Sequence, residues 1–214
     1  MPSIFRFFFR LSLAMACAGL FASHAQSQSA RAYLDRGLED ENERAALIAE
    51  GEQASFFCVY CHGEDGNSKI SAVPNLAGQN ARYVLSQIQA FLQGTRKDPF
   101  MEGLMRVLSP REQAAIAMFY AHSETIPASP EPGPRAEEGG RYYRELCARC
   151  HGEDARGAET YARLAGQQVE YLQTSLHRYL VMSSDRIYPA MTGSVRQLGE
   201  RNIDAVVQYL SSLE

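Results

Sequence analysis

The sequence predicts an all-α chain built as two tandem domains, and three observations predict it. The first is an internal repeat. Cys61-His62-Gly63-Glu64-Asp65 returns as Cys150-His151-Gly152-Glu153-Asp154, and Leu76-Ala77-Gly78-Gln79 returns as Leu164-Ala165-Gly166-Gln167. The second is periodicity. Tyr83, Ile88, Phe91 and Leu92 are matched by Tyr171, Leu176, Tyr179 and Leu180 in a shared apolar stripe, and no segment shows the period-two alternation of a strand. The third is the stretch from Ile126 to Pro134, with four prolines in nine residues. Such a stretch cannot continue a helix and favours an extended, semi-rigid connector. The predicted boundaries are a signal peptide over 1–25, a first domain over 26–125 with a lead-in over 26–43, the connector over 126–134, and a second domain over 135–214.

In chain order, Arg6 and Arg10 precede a short apolar run from Leu11 to Ala22, the pattern of a secretory leader cleaved after Ala25. The run is too short for a comfortable bilayer span, although Phe5 and Phe7 to Phe9 lengthen the apolar stretch and leave an uncleaved anchor as the alternative; Cys17 reads as one of its small residues, and His24 leaves with the leader. From Ser27 to Glu50 the chain is polar and charged, with Leu34, Leu38, Leu47 and Ile48 at loosely helical spacing, and Arg31 to Arg44 reads as a solvated surface segment. A helix over Glu43 to Phe56 then leads into the first cysteine motif. Each copy reads as helix, motif, long loop, helix, loop, helix. The middle helix starts near Asn80 or Gln168 and stops at Gly94 in the first copy. The last helix of copy one opens with Ser109-Pro110-Arg111-Glu112, a capping box with Pro at the first helical position. Copy two has Gly199 and Asn202 there and loses the box, while Ile203, Val206, Val207, Leu210 and Leu213 give its last helix an apolar face.

The 214 residues are 45% hydrophobic, with a formal net charge of -4. There is no Lys/Arg run, so a nucleic-acid partner is excluded as a working expectation. Without Arg6 and Arg10, 19 basic against 25 acidic residues leave the mature chain at -6. Such a surface favours partners with basic faces.

Four of the five cysteines lie in two Cys-x-x-Cys-His runs: Cys58 and Cys61 before His62, and Cys147 and Cys150 before His151. This is the attachment signature of c-type haem. Two thiols at this spacing add across the two vinyl groups of one porphyrin, and the adjacent His supplies the proximal imidazole. A zinc site or two disulfides would leave the directly following His unexplained in both copies. For the sixth iron position, Met101 lies 39 residues after His62 and 8 before Ser109, and Met191 lies 40 after His151 and 8 before Gly199. Thioether ligation raises the potential and saturates the iron, which suits electron transfer. Met105 and Met182 read as apolar pocket fillers and Met118 as core. His122 reads as a helix-end cap and His177 as a solvated residue.

With these residues the chain resembles the cytochrome c4 family, dihaem proteins of two class I cytochrome c domains. The resemblance rests on both Cys-x-x-Cys-His-Gly runs, both Leu-Ala-Gly-Gln turns, Met101, Met191 and the Pro-rich connector, and covers roughly residues 50 to 214. It implies two covalent haem c groups and a periplasmic one-electron carrier, not an enzyme, soluble or peripherally associated with a membrane. Its partners would be redox proteins: a membrane respiratory complex, a terminal oxidase or a reductase. It also implies that the carbonyl of Pro74 accepts the proximal imidazole N–H, with Ala162 in that place in copy two. Two other readings share the motifs. One is the electron-accepting subunit of a dehydrogenase complex. The other is a dihaem enzyme of the peroxidase or thiosulfate-oxidising type, against which the paired methionines argue.

Overall fold

A computed structural model describes residues 29–129 and 131–214. The signal peptide expected over 1–25 lies outside the described residues. Among those described, the chain is helical, and extended pairing is confined to two isolated antiparallel bridges, Arg96 with Arg186 and Ala158 with Tyr161. Helix α1 spans 29–39. The first half continues with α2 (Glu41–Ala54), α3 (Val59–His62), α4 (Ala81–Leu92), α5 (Pro99–Val107) and α6 (Pro110–Ala121). The second half repeats the order from α2 onward: α7 (Ala136–Leu146), α8 (Ala148–His151), α9 (Val169–Leu180), α10 (Pro189–Leu198) and α11 (Glu200–Ser211).

Each half has its own core. In the first, α2 crosses α6 so closely that a Cβ on Gly51 would run into the Ala115 carbonyl; in the second, Gly139 on α7 meets the Ala205 carbonyl of α11 in the same way. Only glycine permits these crossings. Around them are buried Leu47, Ile88, Phe91, Met105 and Met118 in one half. Tyr143, Leu172, Ile203, Val206 and Leu210 fill the other. The capping box of α6 is present, with the Ser109 side chain accepting from the Glu112 amide and the Glu112 carboxylate accepting from the Ser109 amide. Helix α11 starts at Gly199 without a side-chain cap, as its sequence implies.

The structure departs from the sequence expectation in three places. The segment Arg31–Arg44 is not a solvated stretch: Ala30, Leu34 and Gly37 fall on one face of α1 and are buried against Leu47 and Met118. Burying a leucine such as Leu34 contributes about 1.5–3 kcal/mol, which outweighs the surrounding charges because those stay on the outer face. Asp40 then caps α2 by accepting from the Glu43 amide at 2.8 Å, so that helix begins earlier than expected. Next, the loop expected between the middle and last helices of each copy is itself a helix, α5 or α10, each opened by a proline at its first turn. Finally, Tyr83 and Tyr171 do not continue the core stripe but turn their hydroxyls to the contact between the halves.

That contact is pseudo-symmetric. Arg186, 8% exposed, donates to Tyr179 at 2.6 Å, Tyr171 at 3.1 Å and Tyr83 at 3.3 Å, and Arg96 donates to Tyr171 at 3.2 Å. The strand-like stretches carrying the two arginines pair through Lys97 N to Asp185 O at 2.8 Å and Ile187 N to Thr95 O at 3.0 Å. The connector is tied down as well: Ile126 N donates to Asn67 Oδ1 at 2.9 Å, Ala128 N to Gly166 O at 3.1 Å and Ser129 N to Ser211 O at 3.1 Å.

Candidate functional site

Both cysteine motifs are built alike. After α2 ends, a turn closed by Cys58 N to Ser55 O at 2.8 Å leads into the single turn α3, where His62 N donates to Cys58 O at 2.9 Å. In the second half, Cys147 N donates to Tyr143 O at 2.8 Å and His151 N to Cys147 O at 3.0 Å. One helical turn places residues i and i+3 on the same side, so Cys58 and Cys61, or Cys147 and Cys150, share a face. Gly63 (φ 85°) and Gly152 (φ 80°) end these turns in the left-handed region, which stops the helix directly after the histidine.

The histidines are buried and oriented. The ring Nδ1 of His62 lies 2.8 Å from Pro74 O, and that of His151 lies 2.9 Å from Ala162 O. A carbonyl only accepts, so Nδ1 carries the proton and donates, leaving the Nε2 lone pair for a metal. Burial pushes both imidazoles below their ordinary value, against the raising effect of the carbonyl bonds. The substitution of Ala162 for Pro74 leaves the contact intact because the backbone supplies it.

The peptide groups that receive these rings are themselves held from the other half, an arrangement the sequence reading missed. Asn75 N donates to Gln167 Oε1 at 2.7 Å and Gln167 Nε2 donates back to Asn75 O at 3.0 Å. The counterpart is Arg163 N to Gln79 Oε1 at 2.7 Å and Gln79 Nε2 to Arg163 O at 2.9 Å. The recurrence of glutamine at the end of both Leu-Ala-Gly-Gln turns was the available signal.

Met101 and Met191 sit on the first turns of α5 and α10, half-buried against the first and second cores respectively. The Asp98 carboxylate caps α5 by accepting from Phe100 N at 3.1 Å and Met101 N at 3.0 Å, which fixes the backbone carrying that thioether. Met105 and Met118 are buried in the first core. Met182 is 62% exposed at a positive φ of 54° just past α9, where its sulfur lies 3.8 Å from an Arg196 nitrogen. His122 follows α6 with its ring bound to Met118 O at 2.9 Å, and His177 is exposed.

The residues present fit covalently held haem. A zinc site needs converging donors, and among the described residues no three His, Cys, Asp or Glu side chains converge on a metal position. Apolar side chains stand exposed beside the motifs and the methionine helices, including Ile70 at 45%, Phe100 at 66%, Tyr161 at 43% and Tyr188 at 52%. That is surface a flat apolar macrocycle would cover. Cys58 and Cys61 with His62 would hold one such group, and Cys147 and Cys150 with His151 the other. Among the described residues, no helix is long and apolar enough to cross a membrane.

Comparison with known proteins follows the same lines. Residues 134–210 match the family model described as cytochrome c oxidase, cbb3-type, subunit III. A cytochrome c4 of Thiocapsa roseopersicina is 29% identical over 173 residues, spanning 75% of this chain and 89% of the relative. A thiosulfate dehydrogenase electron acceptor of Thiomonas intermedia is 29% identical over 169 residues, 72% of this chain and 77% of the relative. The cytochrome c-554(548) of Halomonas halodenitrificans is 39% identical over 83 residues, 37% of this chain but 100% of the relative. Among solved structures, reduced cytochrome c4 from Pseudomonas stutzeri superposes with a TM-score of 0.69 at 25% identity, covering 77% of this chain and 97% of that one.

Proposed function

The chain belongs to the cytochrome c4 family, a c-type cytochrome electron carrier with covalently bound haem c, and on that premise we propose that it carries two such groups and relays single electrons in the periplasm. In this reading Cys58, Cys61, Cys147 and Cys150 form the thioether links, His62 and His151 are the proximal ligands, and Met101 and Met191 complete the coordination. The observation that carries it is the pair of proximal rings, each buried on a one-turn helix after its cysteines, with Nδ1 tied to a backbone carbonyl and Nε2 free to ligate.

When bound, haem supplies a ferric/ferrous couple, and the chain's residues decide how that couple behaves. The carbonyls of Pro74 and Ala162 hold each ring in one tautomer and orientation through both oxidation states. Burial of the rings keeps water from the proximal side. Met101 and Met191 would leave no iron position for a substrate, so the chain itself performs no bond chemistry. The partners would be redox proteins, a respiratory complex, a terminal oxidase or a reductase, approached by an acidic surface through basic faces. A second reading, electron acceptor for a dehydrogenase, is favoured by the Thiomonas relative and keeps the same haem chemistry.

Redox titration of the mature protein with optical spectroscopy tests the proposal. Two low-spin haems, unreactive to carbon monoxide and cyanide at neutral pH, are expected. Ready binding of either ligand to a native centre overturns the carrier reading. Stable co-purification with a catalytic chain selects the dehydrogenase acceptor over the freely diffusing carrier.

A further inference from the structure

The peptide group between Pro74 and Asn75 makes two hydrogen bonds at once. Its carbonyl accepts from His62 Nδ1 at 2.8 Å, and its N–H donates to Gln167 Oε1 at 2.7 Å. The peptide between Ala162 and Arg163 does the same, accepting from His151 at 2.9 Å and donating to Gln79 at 2.7 Å. We propose that Gln167 and Gln79 are positioning residues acting in trans between the halves: each sets the donor strength of the opposite half's proximal imidazole through one shared peptide. The inference rests on the axial roles proposed for His62 and His151.

The physical chain is short. A peptide is a resonance unit, so a hydrogen bond drawn from its N–H moves electron density onto its oxygen. Hydrogen bonds in such a chain strengthen one another by roughly 10–30% each. The carbonyl therefore pulls harder on the Nδ1 proton, the ring gains imidazolate character, and Nε2 becomes the stronger donor. A stronger donor favours ferric iron and lowers the potential. The geometry is suited to transmit this, because Asn75 (8% exposed), Gln79 (5%) and Gln167 (6%) are buried where water does not compete. Each glutamine amide is also gripped at its other end, by donation to Asn75 O or Arg163 O, so its oxygen cannot swing away. The wiring is crossed: a residue of the second half acts on the first half's ring, and the reverse.

That crossing supplies the test. Gln167→Met keeps the side-chain length and removes the acceptor. In the full holoprotein, each haem's potential is followed by NMR redox titration, with the two sets of resonances assigned from Met101→His and Met191→His spectra. Gln167→Met should raise the potential of the haem held by His62 and leave that of the His151 haem in place; Gln79→Met should do the opposite. A shift confined to the mutated residue's own half, as simple loosening of its turn would produce, overturns the proposal, and so does no shift. Should either variant fail to retain both haems, amide exchange in the wild-type holoprotein decides: Asn75 and Arg163 should exchange as slowly as core helix amides, and fast exchange at both sinks the relay. Low-spin His–Met spectra with unmoved potentials reject the relay alone, whereas a wild-type iron not bound by His62 or His151 rejects the axial assignment beneath it.

Discussion

At the scale of single residues, the cysteines and histidines proposed to hold haem were legible in the sequence because covalent attachment would fix their spacing within one helical turn, and the structure places each set on such a turn. The proposed methionine ligands were singled out only by parallel distances from His62 and His151, since a thioether ligand carries no local motif. Met101→His or Met191→His should lower one midpoint by a sizeable part of the roughly 0.8 V that axial ligands span, and erase that haem's sulfur-to-iron charge-transfer band. A redox titration with optical detection reads both. The glutamines that grip the opposite half escaped sequence reading because their partners are backbone atoms 84 and 92 residues away. Backbone acceptors leave no side-chain signature at the receiving position.

At the scale of elements, the helices with a strong local signal were legible and those defined by tertiary contact were not. The capping box of α6 announced its start, and Ser109→Ala should cost about 1 kcal/mol in a denaturant melt. Helix α1 was misread because its buried positions, Ala30, Leu34 and Gly37, include two small residues that contribute little to an apolar pattern. The α2–α6 and α7–α11 crossings depend on Gly51 and Gly139. Gly51→Ala or Gly139→Ala should destabilise by about 1–3 kcal/mol, because a backbone carbonyl must move to admit the methyl. The α2–α6 pair is also pinned by Arg111, which binds Glu43 and Glu50 at 2.7 Å each. Hydrogen bonding from Arg111 holds the Glu50 carboxyl below its ordinary value, against a smaller effect of burial. A depressed folded-state value contributes stability that is present above the ordinary glutamate range and lost as pH falls through the lowered value. Because both groups are partly exposed, the contribution is only ~0.2–1 kcal/mol. The melting-temperature gap between wild type and Glu50→Gln should therefore narrow on acidification from about pH 7 to about pH 3.

At the scale of the whole molecule, the repeat predicted two similar halves but was silent on how they meet. The answer lies in Arg96 and Arg186, equivalent residues that bridge to each other through an isolated antiparallel pairing and bind tyrosines that had looked like core. Arg186→Met should leave the Tyr179 and Tyr83 hydroxyls without their arginine donor and Tyr171 with Arg96 alone, costing ~1–3 kcal/mol, and should loosen the halves. Small-angle scattering reads that as a larger radius of gyration with helix content unchanged. The proline-rich connector adds to the same rigidity, since its amides are stitched to Asn67, Gly166 and Ser211. A tether fastened at Ile126, Ala128 and Ser129, between halves already clasped by Arg186, would hold its cargoes at one separation whatever the solvent does. Internal electron hopping would then run at the same speed in water and in glycerol, while delivery to an outside partner slows with viscosity.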